Sequence, residues 1–196
     1  MVRRRRSFRE TMSADLLELC VRRAYLDLNR TLHGFATHHS ADDLRKHARQ
    51  RVAELLRNLE KATVVVSQRD FDRWHEAACA KLQTLYHDHG FTDFSVGQAQ
   101  KWLNMSLKYV FTLGQDRLPG FASLYQFAHI PLDNVFLQRA EESLNIPRPC
   151  YSWSRLNDYS TYLKYQEAVR DQCSGSAPLA VEFWLWLENP PAEEKS

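Results

Sequence analysis

Lys101 and Asp133 are the two residues whose types and setting suit a covalent reaction. Lys101 follows the turn Ser95-Val-Gly-Gln-Ala-Gln, and Asp133 closes the segment His129-Ile-Pro-Leu. A lysine amine can attack a carbon and form a Schiff base. A carboxylate near it can take up a proton or stabilise a developing cation. Gly97 lets the backbone turn tightly or approach a ligand closely. A helix opening at that glycine offers N–H groups and a partial positive charge that suit a phosphate. The plainer readings are a surface lysine on an amphipathic helix and an aspartate that only caps the helix after it.

The elements that must position these two residues read as helices. Ser13 starts a helix to about Leu32, with Leu16, Leu19, Cys20, Ala24 and Leu28 near one face. Ser40 and Asp43 have the spacing of a capping pair for a second helix, which reaches about Lys61. Thr63-Val-Val-Val66 reads as a linker, and a third helix runs from after Ser67 to about His87. Ser95 with Gln98 caps the helix that carries Lys101 and ends near Leu113. A short helix from about Leu132 to Leu144 follows Pro131. Ser154–Gln172 reads as another helix, and Pro178 fits the first turn of the last. No series of alternating strands is present, which excludes a Rossmann sheet or a β-barrel. The expectation is an all-α fold, a single compact domain of about seven helices over residues 13–188. Residues 1–12 form a basic flexible arm and residues 189–196 a flexible tail.

The segment Val96-Gly-Gln-Ala-Gln-Lys101 and the segment Ile130-Pro-Leu-Asp133 together resemble the helix-hairpin-helix DNA glycosylases, in particular the 8-oxoguanine branch. The resemblance covers about residues 94–144. In that family a glycine hairpin leads into the helix with the catalytic lysine, and a Pro-Val-Asp segment supplies an aspartate. The resemblance implies DNA repair by base excision, with Lys101 the nucleophile at the sugar C1′ and Asp133 its electrostatic and acid–base partner. It also implies that Gly97, Gln98 and Gln100 of the hairpin meet the substrate. The second hairpin glycine of the family is Ala99 here, and no Leu-Pro-Gly precedes it. The run Gln100–Tyr109 also looks like uncharacterised bacterial proteins.

Further candidates come from the residue types alone. Trp102 flanks Lys101, and His129 lies near enough to Asp133 to assist proton transfer. Trp153 leads an aromatic cluster with Tyr151, Tyr159, Tyr162 and Tyr165, and rings of this kind stack on extruded bases. Core packing is the plainer role for most of them. Lys108, Arg117, Arg139, Arg148, Arg155 and Lys164 would form a phosphate track if they shared one face. His87-Asp88-His89 has metal-ligand types, but neighbours on a helix point in different directions, so no metal site is assigned.

The composition bounds these readings. The chain has 196 residues, 44% hydrophobic and 26% charged, with a net charge of +2. That length buries a core without disulfides or metals. Cys20, Cys79, Cys150 and Cys173 are scattered, which fits reduced thiols and a cytoplasmic protein. Arg3–Arg6 form a basic run with no apolar stretch behind it, so it is not a secretory signal. The longest apolar run, Phe183–Leu187, is too short to span a bilayer. Nucleic acid, above all DNA, and a protein are the expected partners, with no membrane and no cofactor. The competing expectation is a non-catalytic helical module that binds nucleic acid or protein, in a bacterial defence or regulatory assembly.

Overall fold

The structure, a computed structural model, describes the backbone of residues 8–61, 65–173 and 175–188, with side chains from Asp15 to Leu187. The run Arg3–Arg6, the residues 62–64 of the linker and the tail 189–196 lie outside the described residues. Among the described residues seven α-helices follow one another: α1 (Phe8–Leu28), α2 (Ala41–Lys61), α3 (Gln68–Asp88), α4 (Val96–Leu113), α5 (Asn134–Leu144), α6 (Tyr159–Gln172) and α7 (Pro178–Glu188). Short 3-10 turns lie between them, and the described residues contain no strand. The protein is all-α, as its helical periodicity requires.

Local chemistry sets most helix starts. Ser67 accepts from the Asp70 N–H, Asp133 from the Phe136 N–H and Asp158 from the Thr161 N–H. Each side-chain oxygen satisfies one backbone donor that the first turn leaves without a partner. At Ser95 both halves of the capping box form, with Gln98 returning a bond to the Ser95 N–H.

Three boundaries or faces differ from expectation. Helix α1 begins at Phe8 rather than Ser13, so part of the expected arm is helical. Its buried face is Leu17, Cys20, Val21, Ala24, Tyr25 and Leu28, and Leu19 points outward. Helix α6 begins at Tyr159 rather than Ser154. Trp153–Arg155 makes a separate 3-10 turn, and the extended backbone after it ends at the Asp158 cap.

Helix α4 lies at the centre. Its 18 residues span roughly 27 Å. Every residue from Val96 to Leu107 is buried, the pattern of a helix enclosed on all sides rather than amphipathic. One apolar cluster packs α1, α2 and α3 against α4, with Trp102 and Leu103 in it. A second joins Val96 and Ile130 to α5, α6 and Leu185 of α7. Burying side chains of this size contributes roughly 1.5–3 kcal/mol each. Lys101 therefore sits on a helix that the core surrounds, and its residue type alone hides that.

Candidate active site

The turn before Lys101 is closed by backbone. The Gly97 N–H donates to the Leu156 carbonyl at 2.9 Å, and the Ser95 hydroxyl donates to the Ser154 carbonyl at 2.7 Å. A Cβ on Gly97 would lie 1.7 Å from the Trp153 carbonyl oxygen. Glycine is needed here so that the Trp153–Leu156 stretch of chain can lie against α4. The Gln98 and Ala99 N–H groups go to the Ser95 hydroxyl and carbonyl. The Gly97, Gln98 and Ala99 donors expected to meet a phosphate are thus used within the protein.

Lys101 and Asp133 come together. The Lys101 Nζ donates to Asp133 Oδ2 at 2.6 Å. The lysine side chain is 6% exposed and the aspartate 26%. Asp133 Oδ1 accepts from the Phe136 N–H at 2.8 Å, so one carboxylate both caps α5 and holds the amine. The surface-lysine reading is overturned, and the helix-cap reading of Asp133 is half of its role. An amine and a carboxylate so paired can exchange a proton without rearrangement, and of the two side chains the aspartate is the one that meets solvent.

The other expected substrate contacts point inward. Gln98 donates to the Thr31 carbonyl at 2.7 Å, and Trp102 donates from its indole to the Val21 carbonyl at 3.0 Å. Gln100 bonds the backbone of Leu132. Trp153 is buried against Ile130 and α6. His129 is 1% exposed, with Nε2 2.7 Å from Asp72 Oδ1 and Nδ1 2.9 Å from the Tyr162 hydroxyl. It therefore bonds to α3 and α6 rather than to Asp133.

His129 belongs to a buried polar chain whose direction the amides fix. Asn104 Oδ1 can only accept, so the His75 Nε2 at 2.9 Å carries the proton. Asn104 Nδ2 donates to the Tyr162 hydroxyl, Tyr162 to His129 Nδ1, and His129 Nε2–H to Asp72. The Tyr159 hydroxyl lies 2.9 Å from His75 Nδ1 and 3.1 Å from the Asp72 carbonyl, and its one proton serves either. Burial lowers the affinity of both imidazoles for a second proton, for His129 against the opposing pull of Asp72. Burial pushes the Asp72 carboxyl up, but bonds from His129 and Gln68 outweigh it and hold it below its ordinary range. Arg170 adds two longer contacts to Asp72.

The residue pattern gave no prominence to Glu182 and Trp186, and left Lys108 and Arg139 without partners. Lys108 Nζ bonds Glu182 Oε1 at 2.7 Å. Burial raises the Glu182 carboxyl, and Lys108, then Lys101, oppose the rise. Arg139 donates to the Leu185 carbonyl at 2.8 Å and lies over the Trp186 ring at 4.4 Å. Glu182 Oε2 and Trp186 Nε1 are buried and have no hydrogen-bond partner among the described residues. The signals were present: Lys108 is seven residues from Lys101, hence on the same helix face, and Glu182 is the one charged residue before the last position of an otherwise apolar helix.

A cavity of about 430 Å³ adjoins this region, lined by Phe111, Leu118, Phe121, Tyr125 and Phe183 among others. Phe183 also faces Lys108, whose Nζ is 4.7 Å from its ring centre. Two of the six basic residues expected along a phosphate track, Lys108 and Arg139, are turned inside; Arg148 pairs with Glu141, and Arg155 and Lys164 are exposed. The described residues hold no group of three or more metal-ligating side chains, and His87 and His89 bond to backbone carbonyls. Among the described residues no helix is long and apolar enough to cross a membrane. No family model, no curated protein and no solved structure matches the chain.

Proposed function

We propose that the protein is a DNA base-excision enzyme of the glycosylase and lyase type, with Lys101 as nucleophile and Asp133 as its proton partner. One observation carries the reading: a buried amine is held 2.6 Å from the carboxylate of an aspartate whose side chain is 26% exposed. Substrate displaces the ion pair, and the Lys101 proton passes to Asp133. The amine then bonds to C1′ while the C1′–N bond to the base breaks, and the base leaves with the proton that Asp133 took up. Opening of the sugar ring gives a protonated imine on Lys101. Loss of a C2′ proton expels the 3′ phosphate, and water releases the lysine.

The unpartnered atoms support the same reading. An extruded guanine- or thymine-type base presents a ring N–H beside a carbonyl. Glu182 Oε2 and the Trp186 N–H, buried and without a partner among the described residues, are an acceptor and a donor of the kinds that edge requires. The aromatic walls of the neighbouring cavity suit a flat ring. DNA is the partner, and the setting is cytoplasmic.

The test is borohydride trapping on abasic-site and modified-base duplexes, wild type beside Lys101→Ala. A covalent adduct in the wild type alone supports the reading. No adduct on any duplex, with unchanged DNA binding in the variant, overturns it. A second reading rests on the burial of Lys101. A lysine 5% exposed and tied to a helix cap is also a structural clasp, and the protein is then a non-catalytic binding module.

A further inference from the structure

The segment His129–Asp133 runs extended between α4 and α6 with no β-strand partner. Buried backbone N–H and C=O groups require hydrogen bonds. Two glutamine side chains provide them. Gln166 of α6 accepts from the Ile130 N–H at 3.0 Å and donates to the Ile130 carbonyl at 2.8 Å. Gln100 of α4 accepts from the Leu132 N–H at 3.2 Å and donates to the Leu132 carbonyl at 3.1 Å. Asn104 donates to the Gln100 Oε1 at 3.0 Å and so fixes which end of that amide is oxygen. Each primary amide takes the part of a neighbouring strand, and both are buried.

We propose that Gln100 is a positioning residue that sets the register of Asp133 against Lys101. Gln100 and Lys101 are consecutive on α4, and Leu132 and Asp133 are consecutive on the segment. Two contacts between the same two stretches of backbone fix both distance and rotation. Pro131 makes the register unique. It has no N–H, so a slip by one residue would set a proline nitrogen against a glutamine carbonyl with no proton between them. The inference rests on the proposed lysine chemistry for its effect on rate, but the clamp is measurable without it.

The decisive variant is Gln100→Glu. In its neutral form the introduced carboxyl keeps the shape and both bonds, accepting from Leu132 N–H and donating its O–H to the Leu132 carbonyl. In its ionised form it opposes that carbonyl with a second acceptor. Hydrogen exchange at the Leu132 amide reads the clamp directly. Gln100→Glu is expected to match wild type at low pH and to lose about 100-fold protection as the pH rises, with Gln100→Ala unprotected throughout. On abasic-site DNA the trapping rate is expected to fall by about 100-fold on the same pH course, the loss typical of a small misplacement of reacting groups. DNA affinity stays unchanged. Protection of the Leu132 amide in Gln100→Glu that equals wild type at every pH overturns the clamp. Exchange that follows pH while trapping does not overturns its role in placing Lys101. Absence of trapping in the wild type, with the exchange pattern intact, refutes the lysine chemistry and leaves the clamp standing.

Discussion

Lys108 and Lys101 lie two turns apart on one face of α4, and each is matched to a carboxylate from a different element: Lys101 to Asp133 at 2.6 Å, Lys108 to Glu182 at 2.7 Å. The two pairs close on each other, since the charges of Lys101 and Asp133 both act on Glu182. Four charges of balanced sign thus enter a region where an unpaired ion would be costly. The pairs differ in solvation. The Asp133 side chain is 26% exposed, whereas the Glu182 side chain is only 4% exposed.

That difference predicts an asymmetry in the first pair. Asp133→Asn keeps the helix cap but leaves Lys101 buried without a counter-ion. It is expected to lower stability by about 3 kcal/mol, in the range for breaking a buried pair. Lys101→Met leaves a carboxylate that water can reach, and the cost is expected to be about 1 kcal/mol. Urea unfolding of both variants checks the order; equal losses would show that the two ends are equally solvated.

For the second pair the buried partner is the acid. Lys108→Met strands Glu182 and is expected to cost about 3 kcal/mol at neutral pH. Because burial raises the Glu182 carboxyl, its ionised form destabilises the fold. Stability from this group is full below the ordinary carboxyl value of 4.5 and is lost as pH rises through the higher folded value. Lys108→Met should therefore recover stability on acidification toward that ordinary value, and Lys108→Met combined with Glu182→Gln should not. Melting temperatures across that range decide it.

The buried histidines give the opposite slope. His75 and His129 bind protons less readily in the fold than at the ordinary value of 6.5. Between the folded and ordinary values the unfolded chain holds more protons, so stability is full above 6.5 and is lost as pH falls. Asp72 adds a further loss below its ordinary 3.8. Urea midpoints from about pH 8 to about pH 5 should decline in the wild type, and less steeply in His129→Gln. A decline in His129→Gln as steep as in the wild type would contradict the burial of a neutral His129 imidazole.

Gly97→Ala tests the close approach of two backbones. A methyl 1.7 Å from the Trp153 carbonyl oxygen must move that stretch of chain away from α4. The bonds to Leu156 and Ser154 go with it. The expected loss is about 3 kcal/mol, the upper end for overpacking, with exposure of Trp153 visible as a red shift in fluorescence.

Much of this architecture was legible in the residues because its causes are local. The box at Ser95 and Gln98, the caps at Ser67 and Asp133 and the first-turn Pro178 act within one turn of chain. Periodicity likewise marks Leu44, Ala48, Val52, Leu55, Leu56 and Leu59 as the buried face of α2. The start of α6 departs from the pattern because the Ser154 and Leu156 carbonyls accept from the Ser95 hydroxyl and the Gly97 N–H, so that stretch lies against α4 and the helix begins at the Asp158 cap. The sequence marks Lys101 and Asp133 by residue type, and the structure joins them as an ion pair.

Tertiary structure decided the rest. Gln98, Gln100, Trp102 and His129 are polar-capable residues whose partners lie 67, 32, 81 and 57 positions away in the chain. No local pattern separates a donor aimed at a ligand from one aimed at Thr31, Leu132, Val21 or Asp72. The enclosure of α4 depends on packing from both sides of the molecule, which turns an apparent surface lysine into a buried one. Side-chain type sets what a residue can do, and the elements folded around it set what it touches.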